Sequence, residues 1–166
     1  IVGDTTLGEL VRPSDKQQPK RVAWIQCAGS RGVNREDVSY CSSVCCMYAL
    51  KEAIVTKERF KDDIETTIFY MDMRTFGKDY EGYYQRAKDQ YGIRLVRCRP
   101  HSIIPAQPGQ DLQISYATDE LSGLATETFD MIVLSVGMEI SPEVVKIAQK
   151  MGIQLGEGRF CQTGSF

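Results

Sequence analysis

The sequence is poor in the features that define several common protein classes. It contains one histidine and one tryptophan, and its 20 Lys and Arg residues nearly balance 22 Asp and Glu residues, for a formal net charge of −2. Because there is no basic excess, electrostatic binding to nucleic acid is not expected. No apolar run approaches the roughly 18 residues of a membrane span, and no signal peptide is visible. We therefore expect a cytoplasmic chain without direct membrane insertion.

The length of 166 residues suits one domain, which would bury roughly 70% of the surface that its unfolded chain exposes. Residues 1–20 are polar and show no clear periodicity, so we interpret them as a connecting arm. The chain begins at Ile1 rather than Met and stops at "GRFCQTGSF". We expect it to be a segment of a longer protein.

Buried strands and amphipathic helices are predicted to alternate in the first half of the domain. Nearly continuous apolar runs predict strands at 21–27, 66–73 and 93–98. Helical periodicity predicts the intervening helices at 40–58, with Ser39 as its N-cap, and at 78–91. Strands that alternate with helices in this way indicate a parallel sheet.

The pattern changes in the second half of the domain. Alternating apolar and polar residues predict an antiparallel hairpin of 111–117 and 123–128, and a buried strand at 130–137 and a short helix at 142–151 follow it. The predicted fold class is therefore α/β, a Rossmann-like three-layer domain with a parallel core sheet plus an antiparallel β-meander.

The stretch "RVAWIQCAGSRG", residues 21–32, is close to the fingerprint of a dinucleotide-binding turn. That fingerprint is G-x-G-x-x-G, and its first glycine makes the tight turn beneath the pyrophosphate. In this chain the same register contains Cys27, Gly29 and Gly32. A thiol therefore occupies the position of the turn glycine, which indicates a different ligand.

Three further cysteines lie in "YCSSVCCMYAL". Cys41 and Cys45 are one helical turn apart near a helix start, and Cys46 follows directly. Cys27 ends the first strand, from which the chain leads back to this helix, so the four sulfurs can converge. Backbone N–H groups at a helix start favour the thiolate, and four thiolates suit an iron–sulfur cluster or zinc.

The cysteine spacing favours a [4Fe–4S] cluster over zinc. Zinc sites usually repeat a knuckle of two cysteines separated by two to four residues, and this chain has no second knuckle. The alternative is a zinc-stabilised binding or interaction module without a redox role, and a further alternative is an NAD-dependent enzyme with an altered fingerprint. Cys98, in an apolar strand, and Cys161, near the end of the chain, are interpreted as incidental.

Other polar residues receive no catalytic role. Asp72 lies too far from Cys27 to be the ribose-binding acid, which is expected about 20 residues further on, so we interpret it as solvated or as a partner for Arg74. Arg74 and Lys78 are interpreted as a solvated helix start; in the alternative interpretation they contact a phosphate or a neighbouring protein chain. His101 has no obvious Ser or Asp companion.

The segments "WIQCAGSRG" and "YCSSVCCMYALKEAI" resemble the flavoprotein of the heterodisulfide reductase A-subunit family and its relatives, which include components of quinone-interacting membrane-bound oxidoreductase complexes. The similarity continues through "IFYMDMRTFGKDYEGYYQRAKDQYGI" and "DMIVLSVGMEISPE", and covers the chain from about Arg12 to Phe160. The usual motif has Asp after "GSR", where this chain has Gly32.

The resemblance implies a domain organisation and a ligand set. Residues 21–160 would form an NAD(P)H-like domain of the thioredoxin-reductase type, and 161–166 would start the return to a FAD domain outside this chain. The resemblance also implies four ligands for a [4Fe–4S] cluster close to that FAD, namely Cys27, Cys41, Cys45 and Cys46.

The function implied by the resemblance is electron transfer within a FAD- and iron–sulfur-dependent oxidoreductase of anaerobic metabolism. Its partners would be the other subunits of a heterodisulfide reductase-like or quinone-interacting complex. Tight FAD binding and turnover are not expected of this chain alone, and NAD(P) binding is not expected because the cluster would fill the pyrophosphate position. Gly29 and Gly137 are the candidate positions for backbone close to the flavin or the cluster.

Overall fold

The computed structural model describes residues 10–32, 37–106, 111–119 and 123–164. Within these residues the chain forms seven strands and three α-helices, besides two short 3-10 turns. In chain order they are β1 (Arg21–Ile25), α1 (Cys45–Phe60), β2 (Glu65–Tyr70), α2 (Tyr80–Asp89), β3 (Arg94–Arg97), β4 (Ser102–Pro105), β5 (Leu112–Tyr116), β6 (Ala125–Phe129), β7 (Met131–Leu134) and α3 (Pro142–Lys150).

Two sheets organise the domain. The first contains four parallel strands in the order β3-β2-β1-β7, and the second is an antiparallel β4-β5-β6 meander. The parallel sheet lies between α1 and α2 on one face and the meander on the other, which makes three layers. The predicted α/β class with a parallel core sheet and an antiparallel meander is therefore confirmed.

The central strand β1 is apolar after its first residue because both of its faces are covered. Val22 and Trp24 belong to the core that also contains apolar residues of α1 and α2, whereas Ala23 and Ile25 belong to the core shared with the meander. Successive strand residues point to opposite faces, so a strand buried on both sides cannot alternate apolar with polar residues. The unbroken apolar run of this segment follows directly.

The meander has one strand more than the sequence predicted. β4 pairs antiparallel with β5 along the open edge of that sheet, and its residues Ile103 and Ile104 are exposed. The sequence gives little sign of this short edge strand, because edge strands tolerate a proline such as Pro105 and need no apolar face. Residues 120–122, which connect the two strands of the predicted hairpin, lie outside the described residues.

The helix predicted at 40–58 begins later than expected, and Ser39 is not its N-cap. α1 begins at Cys45 with Val44 as the N-cap residue, which makes no capping hydrogen bond with its side chain. Ser43 has φ of 61°, which a right-handed helix cannot contain. The same reason applies to the predicted helix at 78–91, because Asp79 has φ of 67° and α2 begins directly after it.

The last helix follows its sequence signals closely. The Ser141 side chain accepts a hydrogen bond from the backbone N–H of Val144, and Pro142 occupies the first turn of α3.

Within the described part of the chain, none of the helices combines the length and apolar character needed to cross a membrane.

An ion cluster centred on Glu127 joins the two sheets. Glu127 on β6 accepts bonds from Arg94 on β3 at 2.6 and 2.8 Å and from Arg21 on β1 at 2.9 Å. Tyr116 on β5 also donates its hydroxyl to this carboxylate. Arg94 contributes most to lowering the pKa of Glu127 from 4.5 to about 2. The charged form of Glu127 is therefore stabilised by folding.

Glu127→Gln tests this cluster. A pKa depressed in the folded state adds stability above pH 4.5 and loses it as the pH falls toward 2. We expect the substitution to lower the free energy of unfolding at pH 7 by up to about 3 kcal/mol, with the difference from the unmodified chain shrinking below pH 4.5. Denaturant titrations at several pH values measure it. Glu65→Gln is the matched control, because Glu65 pairs with Arg21 at 70% exposure; an equal loss in both variants would contradict the assignment.

Candidate functional site

The candidate site forms at the carboxyl end of the parallel sheet. From β1 the chain adds β2 and β3 on one side and later returns as β7 on the other side, so the strand order reverses between β1 and β7. In open parallel sheets, ligands bind outside the carboxyl ends of the strands at such a switch point. Cys27 follows β1 and Gly137 follows β7, so both lie here.

The turn after β1 has the backbone of a glycine turn but carries a thiol. Cys27 has φ of 59°, in the left-handed region, and its carbonyl accepts a bond from the Ser30 N–H at 3.1 Å. A residue with Cβ is destabilised by about 1 kcal/mol in this region. The chain therefore keeps the fingerprint turn and tolerates strain to place sulfur there.

The other three cysteines lie where the chain enters α1. Cys41 lies in the loop before the helix, where its sulfur accepts a bond from the Ser43 N–H at 3.3 Å. Cys45 is the first residue of α1, and Cys46 is buried with its thiol 3.9 Å from the Asp72 carbonyl oxygen. Because Cys41 is outside the helix, its position is independent of the helical repeat that separates Cys45 from Cys46.

All four of these cysteines line one small cavity, together with Ser30, Ser42, Ser43, Val44 and Arg74. The cavity volume is about 10 Å³, which is room for roughly one water molecule. In the part of the chain that the structure describes, no group of three or more His, Cys, Asp or Glu side chains is placed to hold a metal ion. The structure therefore brings the four cysteines to one cavity, but among the described residues their side chains are not arranged to coordinate a metal ion.

The remaining two cysteines lie elsewhere. Cys98 follows β3 and belongs to the core on the meander side, where burial raises the pKa of its thiol to about 11. Cys161 is exposed, in an isolated bridge with Leu155. All six cysteines are free thiols.

Burial opposes ionisation of the thiols at the bottom of the cavity. It is the largest cause that raises the pKa of Cys45 and of Cys46, and the neighbouring Cys27 and Cys41 raise both further. Backbone hydrogen bonds oppose this shift, from Gly137 to Cys45 and from Arg74 to Cys46. Thiols this close resist being charged together unless a bound metal takes up their charge.

An Arg–Asp–Arg triad lies beside the cavity. Asp72, after β2, accepts a bond from Arg31 on one carboxylate oxygen and from the Arg74 Nε on the other at 2.9 Å. Arg74 lines the cavity itself. The expected pairing of Asp72 with Arg74 is thus present. Arg74 is not at a helix start, however, because α2 begins only at Tyr80, and its side chain is half-buried, at 29% exposure.

Gly137 lies where the segment after β7 comes close to the loop before α1 that contains Cys41. It has φ of 78°, and a Cβ there would lie 2.6 Å from the Ser42 hydroxyl and 3.0 Å from the Ser30 hydroxyl. The Ser42 hydroxyl accepts a bond from the Met138 N–H at 2.8 Å, which ties the loop to this segment. Gly29 also has a left-handed φ, of 70°, but a Cβ there would meet no atom of the described chain within 4 Å.

Where the family motif has Asp, this chain has Gly32, and a nearby acidic side chain occupies the adjacent space. A Cβ on Gly32 would overlap the carboxylate of Asp37, which therefore fills the space that a side chain at 32 would take. Arg99 approaches the same carboxylate at 3.4 Å. Residues 33–36 of this loop lie outside the described residues.

Sequence reasoning missed the part played by Arg31 and undervalued Arg74. Their shared partner Asp72 is 41 residues from Arg31 along the chain, so no local pattern could reveal the triad. Lys78 is exposed just before α2 and does not line the cavity, and His101 is exposed beside β4. The one usable signal for this site was the prediction of parallel strands, because residues that follow parallel strands meet at one edge of the sheet.

Fold and site together define a Rossmann-like α/β domain in which a thiol occupies the position of the dinucleotide turn glycine. Among solved structures, the fold is similar to thioredoxin reductase from T. acidophilum, with a TM-score of 0.51 at 16% identity, over 88% of this chain and 39% of that one. Thioredoxin reductase from Lactococcus lactis gives a TM-score of 0.52 at 15% identity with the same coverage.

Sequence comparison with curated proteins finds several relatives, whereas no protein-family model matches the chain. The chain is 43% identical over 150 residues to the second iron–sulfur A-subunit of CoB–CoM heterodisulfide reductase from Methanopyrus kandleri, covering 87% of this chain and 23% of that protein. It is 40% identical over 156 residues to the A-subunit of the H2/formate:CoB–CoM heterodisulfide,ferredoxin reductase from Methanococcus maripaludis, covering 93% and 23%.

Over almost its whole length, the chain is therefore similar to one part of heterodisulfide reductase A-subunits. It spans less than a quarter of the length of these two curated relatives.

Comparing Cys27→Gly with Cys27→Ala separates the backbone strain at position 27 from the loss of the thiol. Both variants remove the thiol, but only glycine adopts the left-handed conformation without strain. We expect the metal-free Cys27→Gly chain to be more stable than the Cys27→Ala chain by about 1 kcal/mol. Chemical denaturation of the two proteins measures this difference. Equal stabilities would mean that the backbone at position 27 is not left-handed in solution.

Proposed function

We propose that this chain is an electron-transfer domain of a FAD- and iron–sulfur-dependent oxidoreductase of the heterodisulfide reductase A-subunit type. The observation that carries the proposal is the single cavity at the sheet switch point that Cys27, Cys41, Cys45 and Cys46 line together. The name of the Methanopyrus relative, which describes an iron–sulfur component of a reductase, supports the same chemistry here.

The donor set fits a [4Fe–4S] cluster. Four cysteine thiolates are the usual ligands of such clusters, which supply one-electron transfer when bound. A cavity of about 10 Å³ is smaller than a cluster, so the sulfurs must separate on binding. Cys41 and Ser43 lie in the loop before α1, where Ser43 is exposed, so we propose that this loop, rather than the core, shifts to make room for the cluster.

The proposed centre replaces a pyrophosphate site. Cys27 holds the position of the turn glycine, and Cys45 stands at the start of α1, where a dinucleotide-binding helix would face phosphate. Gly29 and Gly137 let backbone come close to the cluster or to the flavin of a neighbouring domain. A cluster in this place excludes the pyrophosphate of NAD(P)H.

The domain assignment follows from this proposal. We propose residues 21–160 as the NAD(P)H-like domain, the segment before them as a connecting arm, and the segment after them as the start of the return to a FAD domain; residues 1–9, 165 and 166 lie outside the described residues. The names of relatives describe them as subunits of CoB–CoM heterodisulfide reductases. We accordingly propose other subunits of such a complex as partners, FAD as the cofactor of the whole protein, and the cytoplasm as its location.

Anaerobic reconstitution with iron and sulfide tests the cluster. We expect a brown protein with a broad absorption near 400 nm and about four iron atoms per chain, because four thiolates complete the coordination of a four-iron cluster. Iron and sulfide analysis with EPR spectroscopy of the reduced protein measures this. A colourless protein that instead takes up one zinc ion would contradict the proposal and favour a zinc-stabilised binding module.

Two serine variants test the ligand assignment. Cys45→Ser should abolish the four-iron cluster because it removes a cavity thiolate. Cys98→Ser is the matched control, since Cys98 is equally a free thiol but lies in the core beyond β3. Iron content and the absorption near 400 nm should be unchanged in the control. Loss of the cluster in Cys98→Ser and retention in Cys45→Ser would overturn the assignment.

Pyridine nucleotide binding gives an independent test. We expect no saturable NADH or NADPH binding to the cluster-loaded chain, because the turn that would hold the pyrophosphate holds sulfur ligands instead. Fluorescence titration with each nucleotide measures this. Saturable binding that competes with cluster assembly would show that the turn has kept its nucleotide function.

A further inference from the structure

The Arg31–Asp72–Arg74 triad is the second charged feature of this sheet edge, and the proposed ligand set does not explain it. We propose that Arg31 and Arg74, positioned by Asp72, offset the negative charge of the four-cysteine centre and raise its reduction potential. This inference rests on the proposed function.

The triad's contacts direct two positive groups at two different cysteines. Beyond its dominant hydrogen bond to Asp72, Arg31 interacts with the side chain of Cys27, and Arg74 interacts in the same way with the side chain of Cys41. Asp72 bonds each arginine through a separate oxygen, so it orients both guanidinium groups. Two cations and one carboxylate leave a net positive charge beside the cavity.

The two arginines are more buried than the carboxylate that they share. Arg31 and Arg74 are 24% and 29% exposed, whereas Asp72 is 42% exposed. Exposed ion pairs contribute little to folding stability, so stability alone does not explain why Arg74 lines the cavity and Arg31 interacts with Cys27. The arrangement instead lets the arginines act on charge that forms at the cysteines.

An unpartnered hydroxyl indicates that the cavity accepts an electron-rich group. Ser30 lines the cavity and is 4% exposed, and within the described residues its hydroxyl has no hydrogen-bond partner. A buried hydroxyl without a partner costs about 1–3 kcal/mol, which an acceptor atom at the centre of the cavity would relieve. The hydroxyl and the two guanidinium groups are all donors that favour negative charge in one place.

The expected effect on a redox centre follows from Coulomb's law. A four-thiolate cluster is already negative and gains one further negative charge when it is reduced, and the net charge and hydrogen bonds around a cluster set its potential. Positive charge close by stabilises the reduced form more than the oxidised form. Removing one guanidinium must therefore shift the potential to more negative values.

Redox titration of the reconstituted chain tests the triad. We expect Arg74→Gln to keep the iron and sulfide content and the thermal midpoint but to shift the midpoint potential, followed by EPR, to more negative values. Arg31→Gln should shift it in the same direction, and Arg74→Lys should restore part of the shift because the charge returns without the planar fork. Arg86→Gln is the matched control, because Arg86 stacks on Tyr83 of α2 and does not line the cavity.

The outcomes separate this inference from the proposed function. Clusters with equal potentials in the unmodified chain, Arg74→Gln and Arg31→Gln would overturn the role of the triad and leave the cluster proposal standing. An unmodified chain that assembles no cluster would overturn both. If Arg74→Gln is too unstable to hold a cluster, Arg31→Gln decides, and an unshifted potential in it overturns the inference.

Discussion

The position of β1 between two parallel partners is the constraint on which the rest of this structure depends. Its pairing with β2 and with β7 sets the register of both neighbours and creates the switch point at which their carboxyl ends diverge. The segments that follow these strands must then share one edge of the sheet. Cys27, Asp72 and Gly137 meet there because the strands before them are parallel and hydrogen-bonded in order.

Covering both faces of this sheet is what makes it stable and rigid enough to hold a strained turn. The helices pack on one face, while the meander packs on the other through Phe69, whose ring lies 5.0 Å from Tyr116 and 5.8 Å from Phe129. The Glu127 ion cluster ties the meander to β1 and β3 at the opposite end of the sheet from the cysteines. The left-handed backbone at Cys27 persists because the packed strands around the turn hold its conformation.

The cysteine cavity illustrates how a dinucleotide scaffold can be used for different chemistry. The tight turn, the helix start and the close approach at Gly137 are features that a phosphate site also needs, because each brings backbone N–H groups to one place. In the proposed function, sulfur at Cys27 and at Cys45 changes the class of ligand while the backbone of the site stays the same. The Arg31–Asp72–Arg74 triad adds net positive charge at the same edge, which suits any anionic occupant and gives the proposed cluster a defined electrostatic setting.

The sequence by itself determined the fold class, the strands of the parallel sheet and the four cysteines of interest, because continuous apolar runs and close cysteine spacing are local signals. It could not determine where α1 begins, since this depends on the left-handed Ser43, nor the edge strand β4, which buries little. Only the tertiary structure decided that Arg31 and Arg74 share Asp72 beside the cavity. Their proximity arises from strand order and register, which bring together residues that no local interaction links.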